Sequence, residues 1–148
     1  MSWVTQYVVA AAVFCLLDLI WLGTVAEDTY ARHLGDLLAP SPNVGAAFVF
    51  YAIFVAGLLY FVIHPAVVAA SWRRALGAGA FFGFVTYATW DLTNLAVLRD
   101  FPAALVPIDL AWGTFLAAAV SVTTYAVAQR LPTWARGCGE SQRPAGLG

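Results

Sequence analysis

Four long apolar runs alternate with three short polar connections along the chain. The runs cover approximately 3–25, 44–63, 75–98 and 106–128, each close to the ~20 residues a helix needs to cross a hydrocarbon core. The pattern predicts an all-α membrane protein, with four transmembrane helices in an antiparallel bundle forming one domain over 1–128. The first connection is the longest and most polar, with Glu27, Asp28, Arg32, His33 and Asp36, and it closes on Pro40, Ser41, Pro42 and Asn43, a stop ahead of the second helix. Tyr30, Leu34 and Leu37 or Leu38 recur there at helical spacing, which predicts a short helix lying on the membrane surface. In the second connection Pro65 is expected to end one helix, and Trp72, Arg73 and Arg74 to anchor the next at the interface. The third, Arg99 to Leu105, is hardly more than a turn. Beyond the last run, 129–148 has Gly, Pro, Ser and Arg without apolar periodicity and reads as a disordered cytoplasmic tail.

Composition agrees with that pattern and removes several classes of function. Of 148 residues, 62% are hydrophobic and 10% charged, against roughly 45–50% and 25% in an ordinary soluble domain. The formal net charge of -1 leaves no basic surface for nucleic acid. No G-x-G-x-x-G, Walker lysine, C-x-x-C or G-x-S-x-G is present, so the sequence calls for no nucleotide or other cofactor. Cys15 and Cys138 are too far apart to suggest a disulfide framework, and Cys15 reads as a small buried apolar residue. No Lys or Arg precedes the first run and Asp18 interrupts it, so it reads as a retained helix and not as a signal peptide. Arg73, Arg74, Arg130, Arg136 and Arg143 fall on one side of a four-span topology, against Arg32 and Arg99 on the other. The excess places both termini in the cytoplasm of an inner, cytoplasmic membrane.

Topology then gives depth. Asp18 and Asp91 each lie seven residues before the outer end of a span, about 10 Å below the outer boundary at 1.5 Å per residue. Tyr51 lies seven residues inside the second span, at the same level, and Asp109 and Trp112 lie nearer the start of the fourth. The outer half of the bundle is therefore expected to be polar and the inner half almost pure hydrocarbon. An Asp at mid-helix costs ~2.5–3.5 kcal/mol on insertion scales, so these carboxyl groups should face inward and find partners. Spacing agrees: Gly79, Gly83, Tyr87 and Asp91 form one i+4 stripe, with Asn94 on the next turn, and the two glycines allow a neighbouring helix to come close. Phe14, Asp18 and Trp21 share a face of the first helix, and Asp109, Trp112 and Gly113 a face of the fourth.

Asp109 follows Pro107, so it is expected in the first turn of its helix, serving the free N–H groups and the dipole there. Asp18 and Asp91 lie well inside their spans and are either interhelical glue or a ligand site. Two carboxyl groups together in low dielectric should share a proton or recruit a cation. The candidate ligand-binding residues are Asp18, Asp91, Asn94, Tyr51, Trp21, Trp90, Asp109 and Trp112. Each of those three Trp lies within three residues of an intramembrane Asp. His33, near Glu27, Asp28 and Asp36, matches no zinc spacing and reads as part of a solvated face, and His64 reads as interfacial, so no metal site is expected.

The strings L-D-L-I-W-L-G (Leu17 to Gly23), L-G-D-L-L-A-P-S-P-N (Leu34 to Asn43), A-A-F-V-F-Y (Ala46 to Tyr51), Y-A-T-W-D-L-T-N-L-A (Tyr87 to Ala96) and D-L-A-W-G (Asp109 to Gly113) together resemble domain of unknown function 2177 over roughly 16–125. The resemblance implies a four-helix bacterial inner-membrane protein with no established activity. Relatives often have Tyr where this chain has Trp90 and Trp where it has Phe101. Three functions compete. One is binding or transport of a small cation, proton or amphiphile headgroup, with transport suggesting a homodimer. Another is an accessory or assembly subunit of a membrane complex, and the last an enzyme modifying a membrane lipid. Membrane lipid is the one partner that composition alone implies.

Overall fold

A computed structural model describes residues 1–35 and 41–130. They form six helical segments: α1 (Trp3–Trp21), α2 (Glu27–Leu34), α3 (Val44–Leu58), α4 (His64–Val68), α5 (Trp72–Val97) and α6 (Leu105–Arg130), with no strand among the described residues. Two π-helical turns, Leu22–Ala26 and Leu59–Ile63, join α1 to α2 and α3 to α4 without breaking the helical backbone. The stretches Trp3–Val25, Val44–Val68 and Leu105–Arg130 are long and apolar enough to cross a membrane. At 26 residues α5 is as long as α6, but Arg73, Arg74, Asp91, Asn94 and its Gly and Thr residues lower its apolarity. Three of its threonines turn their hydroxyls back to their own helix: Thr86 to Phe82 O at 2.9 Å, Thr89 to Val85 O at 2.7 Å, and Thr93 to Thr89 O. That is how hydroxyls are accommodated away from water.

The outside of the bundle confirms its solvent. Val4, Phe48, Phe81 and Val97 are each about 70% exposed or more, and apolar exposure continues around every long helix, which suits a surface wetted by hydrocarbon and not by water. Ser2, Asn43 and Ser71 cap α1, α3 and α5, their side-chain oxygens accepting from Thr5, Ala46 and Arg74 N–H.

Several expectations are corrected here. Pro65 does not end the second helix. The widened turn before it, in which the His64 N–H reaches Leu59 O, accommodates the missing donor and the ring, and helix continues to Val68. Trp72, Arg73 and Arg74, expected in the connection, form the first turn of α5, which begins three residues ahead of the apolar run. The Tyr30–Leu34 stretch is helical but continues α1 instead of lying apart from it. It ends at Gly35, whose φ of +46° is the left-handed conformation glycine supplies at helix ends. Leu37 and Leu38 lie outside the described residues, as do Arg136, Cys138 and Arg143; Gln129 and Arg130, expected in the tail, are helical. The end of the bundle opposite α2 is not pure hydrocarbon, because Gln6, Ser121 and Thr124 are buried there. Ser121 donates to Ala117 O at 2.7 Å and Gln6 to Met1 O at 3.1 Å, local bonds that let small polar side chains pass for apolar ones.

Helices neighbouring in space run antiparallel. α1 packs on α3 and α6, and α5 packs on α6 and on the lower part of the second helix around Leu59–Val68. The core between them is Ala10, Phe14, Phe54, Val55, Leu58, Leu59, Val62, Ile63, Leu116, Ala117 and Val120. The tightest contact is α5 against α6. A Cβ on Gly83 would lie 2.0 Å from Gly113 O, one on Gly79 2.8 Å from Ser121 Oγ, and one on Gly113 2.2 Å from the Tyr87 ring. Backbone meets backbone there, as small residues allow in a lipid-embedded interface.

Two measurements test this account. Gly83→Ala should lower stability by about 1–3 kcal/mol through overpacking, read as detergent thermal unfolding. Gly77→Ala, with open space around its Cβ, should leave it unchanged or higher. Ala70 takes φ 48° at the turn from α4 to α5, where Ala70 and Ser71 N–H return to Val67 and Ala66 O. Since a left-handed non-glycine residue costs about 1–2 kcal/mol, Ala70→Gly should raise the melting temperature, and an unchanged or lower value contradicts the strain.

Candidate functional site

The candidate residues gather at the α2 end of the bundle, in three groups instead of one. In the first, the Tyr51 hydroxyl of α3 donates to Asp18 Oδ2 of α1. Phe14 packs edge-on against the Tyr51 ring at 5.2 Å, and Asp18 is buried. The common level inferred from helix depth is the level at which these two side chains meet. In the second group, the indoles of Trp21 and Trp112 stack at 4.3 Å with an 8° interplanar angle, clamping the top of α1 to α6. Neither pair is on the wall of the cavity at this end of the bundle.

The third group reaches that wall. Asp91 is completely buried on α5, and neither of its carboxyl oxygens receives a hydrogen bond from an N–H or hydroxyl group, so the one group within hydrogen-bonding reach is another carboxyl. It faces Asp109 of α6, to which it is electrostatically coupled. Asp109 is 4% exposed and accepts a 2.6 Å hydrogen bond at Oδ1 from the Tyr30 hydroxyl of α2. It sits on the wall of a cavity of about 400 Å³. Tyr30 and Leu34 of α2, Trp90 and Asn94 of α5 and Leu105 of α6 complete the sides, with Leu98 and Phe101 of the connection closing one edge. Two carboxyl groups side by side with few donors repel each other, and a shared proton or a bound cation relieves that repulsion.

Asp109 is therefore not the helix-capping residue that Pro107 suggested. The helix begins two residues earlier, at Leu105, and its first turn holds no acidic side chain. Asp109 falls one turn further in, on the face that meets α5. The pairing expected between Asp18 and Asp91 is replaced by Asp18 with Tyr51 and Asp91 with Asp109. Tyr87 stands between the groups, coupled electrostatically to Asp18, Asp91, Asp109 and Tyr51.

Tyr30 and Tyr87 are the site residues that sequence reasoning missed. Tyr87 could have been found, since it belongs to the Gly79–Gly83–Asp91 stripe. Tyr30 could not, because its reach to Asp109 depends on α2 continuing α1 across a π turn. Burial first, and then its bond to Asp109, push the Tyr30 hydroxyl well above its ordinary value, so it remains a donor. His33, also on α2, is exposed and turned to its own helix, with Nδ1–H donating to Thr29 O at 2.7 Å. His64 packs its ring on Trp3 at 4.1 Å, at the other end of the bundle, and Cys15 is a free, half-buried thiol. No group of three or more His, Cys, Asp and Glu that could hold a metal ion occurs among the described residues.

The bond from Tyr30 fixes α2 against α6. Tyr30→Phe should cost about 1–3 kcal/mol, the penalty for leaving a buried acceptor without its donor. In hydrogen exchange the α2 amides should open roughly ten- to a hundredfold more often, while those of α5 are unaffected; unchanged α2 protection would show that the bond does not hold the segment.

No curated protein and no solved structure matches the chain. A family model does match, over residues 3–126, which include all three groups and every wall of the cavity. The chain belongs to the family described as predicted membrane protein DUF2177.

Proposed function

We propose that this is a four-span inner-membrane protein that binds or transports a small cation, a proton or an amphiphile through a carboxyl-lined pocket in the outer half of the bilayer. The fourth span is α5, whose 26 residues reach about 39 Å at 1.5 Å per residue and which lies along α6. The arginine excess on the side of the N-terminus and the α4–α5 turn favours cytoplasmic termini, with the α2 end outside.

The observation that carries the reading is a pair of buried carboxyl groups, Asp109 on the wall of the cavity and Asp91 behind it, where Asp91 receives no hydrogen bond from an N–H or hydroxyl group. Buried polar groups in folded proteins are nearly always satisfied, and a carboxyl that served only to join helices would have a donor, as Asp18 has Tyr51. A carboxyl pair with only Asp109 on the cavity wall suits a ligand that brings positive charge or a donor to that end. The described lining has no thiol, imidazole or basic group, which weighs against a lipid-modifying enzyme, and a purely structural accessory subunit would have no need of the cavity.

Untargeted lipid and metabolite profiling of a deletion strain tests this. Wild type should restore the profile, whereas Asp91→Asn should not, although it expresses normally and keeps its size in detergent. Full rescue by a stably expressed Asp91→Asn overturns the pocket as the functional site.

A further inference from the structure

We propose that the occupant of this cavity is an organic cation with an apolar body, admitted sideways from the lipid, with its charged head against Asp109, behind which Asp91 lies. The inference rests on the pocket reading above and names the ligand class. Size is the first argument. About 400 Å³ equals the room of roughly thirteen waters at ~30 Å³ each, far more than a dehydrated metal ion fills. Such an ion also wants about six to eight oxygen ligands, whereas the described walls offer one carboxyl, the Asn94 amide and the Tyr30 hydroxyl, with Asp91 behind.

Chemistry is the second. The remaining walls are aliphatic or aromatic, and no Lys or Arg among the described residues lines the cavity to neutralise its carboxyl end. Trp90 and Phe101 present the aromatic faces to which organic cations are attracted. A neutral apolar molecule would cover the carboxyl groups without supplying either charge or donor, which is costly for buried polar atoms. Access is the third. The cavity grades from a closed polar end to an open apolar rim: Asp91 is 0% and Asp109 4% exposed, against 64% for Trp90 and 46% for Leu98. A cationic amphiphile matches that gradient with its head inward and its body along Trp90 and Leu98.

The test compares benzyltrimethylammonium with neopentylbenzene, a neutral molecule of the same shape, each titrated into the full chain in phosphatidylcholine nanodiscs. The cation should bind saturably and about tenfold or more tighter than its neutral counterpart, the difference a charged contact supplies. Neither sodium nor magnesium chloride should displace it beyond the effect of ionic strength. Asp109→Asn should remove the preference while leaving neopentylbenzene binding intact. Trp90→Leu, at a position 64% exposed, should weaken the cation more than the neutral probe. Equal binding of the two probes overturns the cationic assignment but leaves the pocket reading intact, since that reading falls only with rescue by Asp91→Asn. Binding of neither probe, displacement by magnesium, or an undiminished preference in both variants also overturns the inference.

Discussion

Everything at the α2 end of this molecule depends on how closely α5 approaches α6. In lipid the surrounding chains are as apolar as the helices, so association rests on van der Waals fit and hydrogen bonds and not on expulsion of water. Gly79, Gly83 and Gly113 remove the side chains that would hold the two backbones apart. Once they meet, the antiparallel register is set along the whole stripe. Gly79 lies against Ser121, Gly83 against Ala117 and Gly113, and Tyr87 over Gly113. One turn further on, Asp91 arrives opposite Asp109. The carboxyl pair is thus held in place by a packing contact lower down the same helices.

Helix α1 completes the arrangement from the other side. It delivers Asp18 to Tyr51, Trp21 to Trp112 and, by continuing into α2, Tyr30 to Asp109. A π turn inserts one extra residue, and an extra residue rotates all later side chains by about 100° around the axis. The turn at Leu22–Ala26 lies between the part of the helix that lines the bundle and the part that closes over it. A second π turn at Leu59–Ile63 does comparable work around Pro65, keeping one helix where proline alone would have divided it. Both departures from α-helical spacing lie where the chain must change the face it presents.

The polar groups of the three buried aspartates and of α5 differ in how completely they are satisfied. Asp18 has a donor, Asp109 has one, and the threonines of α5 use their own carbonyls. Asp91 alone of the three buried aspartates receives no hydrogen bond from an N–H or hydroxyl group, and it lies behind the wall of the cavity, against Asp109. It is the most buried of the three carboxyl groups.

Periodicity and composition by themselves determined that the chain is all-helical and membrane-embedded, approximately where its long helices begin, and which residues face inward. These follow from local rules: apolar runs of spanning length, the stop from Pro40 to Asn43 ahead of the second helix, and i+4 spacing that carries Asp91 on the same stripe as Gly79 and Gly83. Depth counted along single helices even brought Asp18 and Tyr51 to one level. Tertiary structure alone decided which carboxyl meets which. Asp18 and Asp91 are equal in depth, but depth says nothing of direction around the bundle, and the glycine contact gave Asp91 to Asp109. It also decided that Asp109 lies one turn into its helix and that Tyr30 folds back to meet it. Both depend on where helices start and how a π turn rotates a face, and those are settled by packing between segments far apart in the chain.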